Sequence, residues 1–478
     1  MHFSTKDVIK ITGGRLLTGP LETWFSGAVI DSRKAKPGEI FIPLQGEKEN
    51  GHQYLLAALN QGAAGSLLEY AEIPGFSGVE FPPGKVVVAV ENTLQALQRL
   101  ARAHRQKFDL PVVAVTGSNG KTTTKDFIAA VLAARYRVLK TEGNLNNHIG
   151  LPLMLLRIKE EHQGVVLEMG MSGYGEIALL TSLSSPNLGV ITNIGEAHLE
   201  MLGSRESIAR AKGELLEGMA PGSAAFLNAD DPLLRPMGER FPGQVLTFGF
   251  APEADFRALH YGPGDGGYSF AASRPAREGG ESYWIPLPGK HNVYNALAAL
   301  AIGTHLQLTP EEIRAGLVAA EVSAMRMERC FAGRGFCIVN DAYNASPTSV
   351  MYALDYLVEW AGAQRKIAVL GDMLELGEAS EAAHRAVGRY AAEKGVDLLV
   401  TLGERARWMA EGALQSGVSP EQVFACTDCE EILHHLEACL EKGVTILIKG
   451  SRGMKMERIA EMLQSRYPLI AEEEFGDS

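Results

Sequence analysis

Residues 112–124 constrain the fold most strongly, because they join an apolar run to a glycine-rich turn and then to the start of a helix. The run Val112-Val113-Ala114-Val115 predicts a buried strand, and Thr116-Gly117-Ser118-Asn119-Gly120-Lys121-Thr122-Thr123 follows it. Backbone N–H groups at such a helix start face an anion, while the lysine suits the terminal phosphates of a nucleotide and the first threonine hydroxyl suits Mg²⁺. The segment therefore predicts a polyphosphate site.

The glycine-rich turn differs from the strict phosphate-loop pattern G-x-x-x-x-G-K-[ST]. Val115 stands where that pattern has its first glycine, so the chain carries a shorter form of the motif. The alternative interpretation is an ordinary turn between a strand and a helix. The buried strand before the turn and the helix after it favour the nucleotide site.

Length and charge bound the class of protein. With 478 residues the chain is long enough for about three domains. A net charge of −12 argues against a broad nucleic-acid surface, so we expect no nucleic-acid partner. The N-terminus lacks an apolar signal core, and no apolar stretch is long enough to span a bilayer. We expect a cytoplasmic monomer without integral membrane association.

The pattern of strands and helices predicts an α/β protein in three parts. Their expected ranges are residues 1–107, 108–322 and 323–478. In the first and smallest part, Val86-Val87-Val88-Ala89-Val90 predicts a strand, and Asn92 or Thr93 is expected to cap the helix that follows. In the second part strands alternate with helices, which predicts a mostly parallel sheet around the phosphate loop. The glycine-rich stretch 251–282 within it predicts a surface hairpin or excursion without a catalytic role.

Buried-strand runs recur in the third part, separated by helical stretches. They are Phe336-Cys337-Ile338-Val339, Ile367-Ala368-Val369-Leu370, Leu398-Leu399-Val400 and Ile446-Leu447-Ile448. This pattern is typical of a doubly wound, Rossmann-like sheet. No G-x-G-x-x-G follows any of these runs, so we predict no dinucleotide site there.

Three residues of the second part are candidates for metal chemistry. Glu168 ends an apolar run, and the carboxyl edge of a parallel sheet is where ligands collect, so it is a candidate to complete the Mg²⁺ shell that Thr122 begins. His198 follows a second such run and is a candidate second metal ligand, with a structural histidine as the alternative. Lys212 precedes Gly213, a glycine in the middle of a predicted helix, which suggests that another group approaches Lys212 closely. A solvated lysine is the alternative.

The five cysteines do not predict a disulfide framework. Cys426 and Cys429 form a single C-x-x-C without a second pair at zinc spacing. We favour a structural role for this pair over metal or redox work, with Thr427 or Asp428 capping the helix that carries Cys429.

Taken together, these motifs resemble those of the Mur ligases, the ATP-dependent amide ligases of peptidoglycan precursor synthesis. The segments that carry the resemblance are Thr116-Gly117-Ser118-Asn119-Gly120-Lys121-Thr122, Gly143-Asn144-Leu145-Asn146-Asn147-His148-Ile149-Gly150-Leu151-Pro152, Glu168-Met169-Gly170, Thr192-Asn193-Ile194 with His198, Ala211-Lys212-Gly213-Glu214 and Gly289-Lys290-His291-Asn292-Val293-Tyr294-Asn295-Ala296. They follow one another in the family's order over nearly the whole chain.

Further segments are similar to the family members that add D-alanyl-D-alanine. These are Asp31-Ser32-Arg33, Asn340-Asp341-Ala342-Tyr343-Asn344-Ala345-Ser346-Pro347, Gly371-Asp372-Met373-Leu374-Glu375-Leu376-Gly377 and Leu447-Ile448-Lys449-Gly450-Ser451-Arg452. The Asp-Asn-Pro-Arg motif typical of the diaminopimelate-adding relative is absent. The resemblance implies the substrates UDP-N-acetylmuramoyl-tripeptide and D-alanyl-D-alanine, ATP and Mg²⁺.

The resemblance also implies a role for each matching residue. The phosphates of the nucleotide would be cradled by Gly117, Ser118, Asn119, Gly120, Lys121, Thr122 and Thr123. Thr122 and Glu168 would hold one Mg²⁺, and His198 would hold a second. Lys212 would be carbamylated and act as an anion beside the metals. Asn292 and Asn295 would contact the adenine side, and Arg326 and Asp341 would reach the γ-phosphate and ribose. For the other substrates, Ser32 and Arg33 would meet the uridine end, and Asn344, Lys449 and Arg452 would receive the dipeptide. Asn147 would also bind substrate.

Two alternatives remain open from sequence. A folylpolyglutamate-type synthetase would share the phosphate loop and the Mg²⁺ residues, although it usually lacks an N-terminal uridine-binding part such as the 107 residues found here. An ATP-binding regulator without enzymatic activity would not need Glu168, His198 and Lys212 together. The third residue of the tripeptide, diaminopimelate or lysine, is not decided by any feature of the sequence.

Overall fold

The computed structural model describes residues 1–264, 266–275, 277–321 and 323–470, without the side chains of residues 277 and 278. Three larger sheets and one two-stranded sheet organise these residues. Within them no helix combines the length and the apolar character needed to cross a membrane. The mixed α/β architecture with mostly parallel sheets confirms the predicted fold class.

The first sheet belongs to the N-terminal part and has the strand order β2-β7-β6-β5-β4. The strands of this part are β1 (Phe3–Ser4), β2 (Arg15–Thr18), β3 (Trp24–Phe25), β4 (Gly27–Val29), β5 (Glu39–Phe41), β6 (Gly65–Glu69) and β7 (Val86–Val90), and its helices are α1 (Thr5–Thr12), α2 (Leu55–Gln61) and α3 (Thr93–Arg105). Strands β1 and β3 form the separate antiparallel pair. Strand β7 and helix α3 confirm the prediction for this region, and Asn92 caps the helix by accepting a hydrogen bond from Gln95 N.

The second sheet has the order β16-β15-β14-β13-β12-β11-β8-β10-β9. Its strands are β8 (Val112–Thr116), β9 (Val138–Lys140), β10 (Gly164–Glu168), β11 (Leu188–Ile191), β12 (Ala224–Asn228), β13 (Gln244–Gly249), β14 (Phe256–Gly264), β15 (Gly267–Arg274) and β16 (Arg277–Ile285). The helices are α4 (Lys121–Ala133), α5 (Gly150–Leu155), α6 (Glu176–Ser184), α7 (Leu199–Leu202), α8 (Arg205–Gly218), α9 (Arg235–Arg240), α10 (Lys290–His305) and α11 (Pro310–Val318).

Strand β8 lies between β10 and β11, parallel to both, and all of its residues are buried. Because the carboxyl ends of parallel strands meet at one edge, the phosphate loop after β8 lies beside the ends of β10 and β11. Those ends carry Glu168 and the loop with Thr192.

The stretch 251–282 is an antiparallel extension of the second sheet, formed by β14, β15 and β16. Its hairpin character is as predicted. However, it is not only a surface feature, since Phe256, Tyr268 and Phe270 are buried in the same core as helix α10. Asp265, which the glycine-rich run contains, lies outside the described residues.

The third sheet has the order β21-β20-β19-β22-β18-β17-β23. Its strands are β17 (Glu328–Ala332), β18 (Phe336–Asn340), β19 (Lys366–Gly371), β20 (Leu398–Leu402), β21 (Val423–Cys426), β22 (Thr445–Lys449) and β23 (Leu469–Ile470), and its helices are α12 (Pro347–Ala361), α13 (Ser380–Glu393), α14 (Arg407–Gln415), α15 (Cys429–Glu437) and α16 (Glu457–Arg466). Strands β18 to β22 are parallel, with helices between them, as the buried runs predicted.

The expected domain edges remain predictions. The apolar core under β7 and α3 is continuous with residues of β8 and α5, so the first two parts pack closely. Residue 322, the expected end of the second part, lies outside the described residues.

Candidate functional site

A cavity of about 690 Å³ opens at the carboxyl edge of the second sheet, and residues of the third sheet line its other side. It collects most of the predicted site residues. Those that line it are Ser118, Asn119, Gly120, Lys121, Thr122, Thr123, Asn147, Glu168, His198, Asn292, Asn295, Arg326, Asp341, Asn344, Lys449 and Arg452. Among the residues that the structure describes, Gly117, Lys212, Ser32 and Arg33 do not line it.

The glycine-rich turn requires two of its glycines. Gly117 has φ 145°, and a Cβ there would lie 1.9 Å from Thr192 Oγ1. Gly120 has φ 79°, and a Cβ there would lie 2.6 Å from Asn295 Oδ1. Both positions combine a backbone that favours glycine with a close neighbour, so the turn requires glycine at each of them.

The backbone of the turn is held from the loop after β11. Thr192 Oγ1 donates to Asn119 O at 2.6 Å, and Asn193 Nδ2 donates to the same oxygen at 3.0 Å. Asn119 N in turn donates to Asn193 Oδ1 at 3.0 Å. These bonds preorganise the turn before any ligand arrives.

Lys121 lies in the first turn of α4 and points back along the loop. Its Nζ donates to Gly117 O at 2.8 Å and to Ser118 O at 3.2 Å. Burial lowers the pKa of this ammonium, Glu168 opposes that effect and Arg326 adds to it. Within the described residues this half-buried cation donates to carbonyl oxygens, so its charge is not matched by a carboxylate and can serve an anionic ligand.

Glu168 has the features of a cation ligand. The residue is 3% exposed, and its Oε1 accepts a 2.7 Å hydrogen bond from Asn146 Nδ2. Its Oε2 is buried and has no hydrogen-bond partner among the described residues. A buried carboxylate oxygen without a donor is costly unless a cation meets it. Together with the Thr122 hydroxyl, which also lines the cavity, this oxygen fits the hard-oxygen preference of Mg²⁺.

Lys212 lies on α8 behind the phosphate loop, where it is 1% exposed. Its Nζ donates to Gly117 O at 2.9 Å, so it shares this carbonyl with Lys121. Burial lowers its pKa well below the usual value, and the neighbouring Lys121 lowers it further. The close approach occurs at the Lys212 amine. A Cβ built at Gly213 would meet only the Met237 side chain, with its Sδ at the ordinary contact distance of 3.6 Å.

His198 has a partner that the sequence did not indicate. Its Nδ1 lies 2.6 Å from Oε2 of Glu375 in the third part, and this close contact lowers the pKa of the Glu375 carboxyl. Nearby, Thr348 Oγ1 donates to Glu196 Oε2 at 2.8 Å. Both contacts join the loop after β11 to the C-terminal part across the cavity.

Asn292 and Asn295 lie on α10 and are 2% and 6% exposed. Asn295 Oδ1 accepts from Thr124 Oγ1 at 2.9 Å, and its Nδ2 donates to Asn292 Oδ1 at 3.0 Å. Asn292 Nδ2 donates to Pro288 O at 2.8 Å. The pair therefore couples α10 to α4 in addition to lining the cavity.

The C-terminal part contributes a chain of charged contacts. Arg326 Nη2 donates to Thr122 Oγ1 at 2.7 Å, and its guanidinium stacks 4.3 Å from the Tyr343 ring centroid. Lys449 Nζ donates to Asp341 Oδ2 at 2.6 Å and to Asn344 O at 2.9 Å.

Two predicted substrate contacts are occupied by neighbours within the chain. Arg452 Nη1 donates to Glu457 Oε1 at 2.9 Å, and Asn147 Oδ1 accepts from Gly150 N at 2.8 Å at the start of α5. The other N–H groups of the Arg452 guanidinium remain able to meet a dipeptide carboxylate, because the Glu457 contact uses Nη1 and the side chain is 54% exposed.

Ser32 and Arg33 lie away from the cavity in a short turn of the N-terminal part, Ser32–Lys34. Arg33 pairs with Asp31 through Nε and Nη2, both at 2.9 Å, and this pairing lowers the pKa of Asp31 to about 2. The Arg33 side chain is 86% exposed.

The predicted set missed several residues of the site. Asn146 and Asn193 are half-buried and stand inside motifs already quoted, so the sequence could have indicated them. Glu375 also stands in a quoted motif, but its contact with His198 depends on how the second and third parts pack. Ser346 likewise stands in a quoted motif and caps α12, but the hydrogen bond from its Oγ to Asn119 Oδ1 at 3.0 Å also depends on that packing.

Comparisons with known proteins agree with this arrangement. Residues 115–303 match the Mur ligase middle domain, and residues 325–452 match the Mur ligase, glutamate ligase domain. The chain is 40% identical over 462 residues to the UDP-N-acetylmuramoyl-tripeptide–D-alanyl-D-alanine ligase of Bacillus subtilis (strain 168). The aligned region covers 96% of this chain and 98% of the relative.

Two solved structures are similar over most of their length. Crystal structure I of MurF from Acinetobacter baumannii has a TM-score of 0.87 at 29% identity, covering 97% of this chain and 99% of that one. The MurF ligase from Thermotoga maritima in complex with ADP has a TM-score of 0.80 at 28% identity, covering 92% and 98%.

Proposed function

The chain belongs to the Mur ligase family, and from this premise we propose that it joins D-alanyl-D-alanine to UDP-N-acetylmuramoyl-tripeptide while ATP is converted to ADP and phosphate. The observation that carries the proposal is the buried Oε2 of Glu168, which has no hydrogen-bond partner among the described residues and lies in the cavity that the phosphate loop lines. This oxygen supports metal-assisted use of a nucleoside triphosphate.

In the first step a terminal carboxylate oxygen of the tripeptide attacks the γ-phosphorus of ATP. The bond to the β–γ bridging oxygen breaks, ADP leaves, and an acyl phosphate forms. Two anions must approach each other, so Lys121 and Arg326 would offset the repulsion and the charge that develops. Thr122 and Glu168 would hold one Mg²⁺ and His198 a second, and these ions would supply charge stabilisation at the phosphates.

In the second step the amine of D-alanyl-D-alanine attacks the acyl carbon, phosphate leaves, and the attacking nitrogen loses its proton as the amide forms. Water must be kept from the acyl phosphate. The contacts of Arg326 with Thr122 and of Ser346 with Asn119 support closure of the C-terminal part over the loop. Asn344, Lys449 and Arg452 would receive the dipeptide, and an arginine suits its carboxylate. Asn147, Ser32 and Arg33 would contact the UDP-linked substrate.

We extend the proposal to Lys212 as a carbamylated residue. Its buried amine with a lowered pKa is poised to be neutral, and the neutral amine is the form that attacks CO₂ to give a carbamate with loss of a proton. The product would carry a negative charge behind a loop that already holds Lys121. The proposal also places the protein in the cytoplasm, since ATP and the UDP-linked precursor are cytoplasmic metabolites, and it includes a monomeric state.

The test is phosphate release from ATP with Mg²⁺ and UDP-N-acetylmuramoyl-tripeptide. It compares D-alanyl-D-alanine, single amino acids including glutamate, and no amine. Release that depends on D-alanyl-D-alanine, with a pentapeptide product by mass, is the expected result. Release only with a different carboxylate and amine would overturn the substrate assignment, and binding of ATP without any turnover would overturn the ligase assignment.

A further inference from the structure

Three side chains with metal-binding atoms meet at the outer end of the third sheet. Cys426 ends strand β21, and Glu431 and His435 lie on helix α15, four residues apart and therefore on one face. The Cys426 sulfur, one Glu431 oxygen and one His435 ring nitrogen all lie within 4.8 Å of one another. We propose that these three residues bind one Zn²⁺ ion.

The ligand atoms are near enough to one another to reach the spacing of an occupied site. Zinc bonds of about 2.0–2.3 Å at tetrahedral angles separate ligand atoms by roughly 3.5 Å. Glu431 is exposed and His435 half-buried, so small side-chain rotations bring the atoms to that separation. A thiolate, an imidazole and a carboxylate suit a borderline-soft divalent ion, and three protein ligands leave one position for water.

Neighbouring groups already orient two of the three ligands. Thr427 N donates to Glu431 Oε2 at 2.8 Å, and the Phe424 ring stacks on His435 with 3.8 Å between the ring centroids. Asp428 Oδ1 accepts from Glu431 N at 2.9 Å and fixes the start of the helix. Such supporting contacts hold ligands in place and increase affinity for the metal.

The charges at the cluster favour a cation. The Glu431 and Asp428 carboxylates lie close enough to the Cys426 sulfur to act on it electrostatically, and their negative charge attracts a cation. When Zn²⁺ binds, a sulfur–zinc bond forms and the thiol proton is released to solvent. Cys426, Glu431 and His435 are not among the residues that line the large cavity, so the proposed zinc does not depend on the proposed ligase reaction.

The experiment uses the full-length protein without an affinity tag, stripped of metal and kept in excess Mg²⁺. Zn²⁺ is titrated in competition with a chromogenic chelator, and Co²⁺ is added separately to detect a thiolate-to-cobalt charge-transfer band. We expect one equivalent of zinc and a charge-transfer band in the wild type. Cys426→Ser and His435→Ala should each weaken zinc binding at least about tenfold.

The chain offers neighbouring controls for both substitutions. Cys429→Ser and His434→Ala change the same residue types within three residues of the ligands but outside the cluster, and both should bind zinc as the wild type does. The proposal is overturned if the wild type binds no zinc equivalent, if its cobalt form lacks the thiolate band, or if Cys426→Ser binds zinc as tightly as Cys429→Ser. The first two results come from the wild type alone and are independent of how the variants fold.

Discussion

Arg326 Nη2 donates a 2.7 Å hydrogen bond to Thr122 Oγ1, so the segment that enters the C-terminal part touches the first turn of helix α4. Asp126, four residues further along the same face of α4, accepts hydrogen bonds from Ser323 N at 3.1 Å and Ser323 Oγ at 2.8 Å. The connection between the second and third parts is thus attached along the helix that begins at the phosphate loop. Movement of this connection would change the position of Arg326 relative to the loop.

The first prediction concerns Asp126, which is fully buried and also pairs with Lys125 at 3.0 Å and Lys140 at 2.8 Å. Asp126→Asn should lower the free energy of unfolding by about 3 kcal/mol, because it leaves a buried cation without its carboxylate. Ser323→Ala removes only the hydroxyl donor and should cost about 1 kcal/mol. Urea denaturation of both variants is the measurement, and equal losses would contradict the role assigned to the Asp126 charge.

Lys121→Ala should abolish phosphate release, a loss of more than about 100-fold, because Lys121 is the cation of the loop that lines the cavity and would offset the triphosphate charge there, whereas Lys212 lies behind the loop. Lys159→Ala, whose side chain is 69% exposed, is the control and should keep normal turnover. Thermal melting of both variants separates a lost charge from a lost fold. Near-normal turnover in a folded Lys121→Ala variant would refute the phosphate-site assignment.

Gly117→Ala should inactivate the protein and lower its stability, since its Cβ would lie 1.9 Å from Thr192 Oγ1 at a φ of 145°. Gly175→Ala is the matched control. Its φ is 81°, but a Cβ there meets nothing within 4 Å, so it should cost only the 1–2 kcal/mol or so of left-handed backbone and keep activity. Equal activity in the two variants would show that the close approach of Thr192 is not required.

Local patterns were sufficient to predict much of the fold. The buried strand β8, the turn after it and helix α4 follow from thirteen consecutive residues, and strands β18, β19, β20 and β22 follow from their apolar runs. The end of β10 also identified Glu168, because parallel strands bring their carboxyl ends to one edge. Each of these predictions depends on sequence neighbours or on a rule of sheet topology.

The contacts that local patterns missed depend on packing between distant segments. His198 meets Glu375, and Lys212 meets Gly117 O, only because separate elements pack together. The C-x-x-C spacing pairs Cys426 with Cys429 in the sequence. In the structure the residues beside the Cys426 thiol are instead Glu431 and His435, which lie one helix turn apart. The spacing of those two residues was visible in the sequence, but the position of the preceding strand end was not.

Lys212 is predicted to react with CO₂, and Lys125 is its internal comparison. Both lysines are 1% exposed, but Lys125 lies 3.0 Å from Asp126, while no carboxylate lies within ion-pair distance of Lys212 in the described parts of the chain. With ¹³C-labelled bicarbonate, the wild type should give one carbamate signal by NMR that Lys212→Ala lacks. Lys212→Ala should also lose activity, and short carboxylates should partly restore it. A carbamate signal that persists in Lys212→Ala would contradict the assignment.

His104 should make the protein less stable in mild acid. Its Nε2 lies 2.8 Å from Ile158 O and its Nδ1 is buried without a partner among the described residues, so the neutral ring fits this position and a second N–H does not. Burial lowers its pKa to about 4, whereas an unfolded histidine titrates near 6.5. Between these values the unfolded chain binds a proton that the folded chain does not. The free energy of unfolding should therefore fall as the pH is lowered from about 6.5 toward 4, and the contribution of His104 should be constant above that window.

His104→Gln, which keeps a donor for Ile158 O, should reduce this pH dependence, and His260→Gln at an exposed position should not. Urea denaturation at pH 7.5 and pH 5 measures both, and an unchanged pH dependence in His104→Gln would show that the buried ring is not responsible.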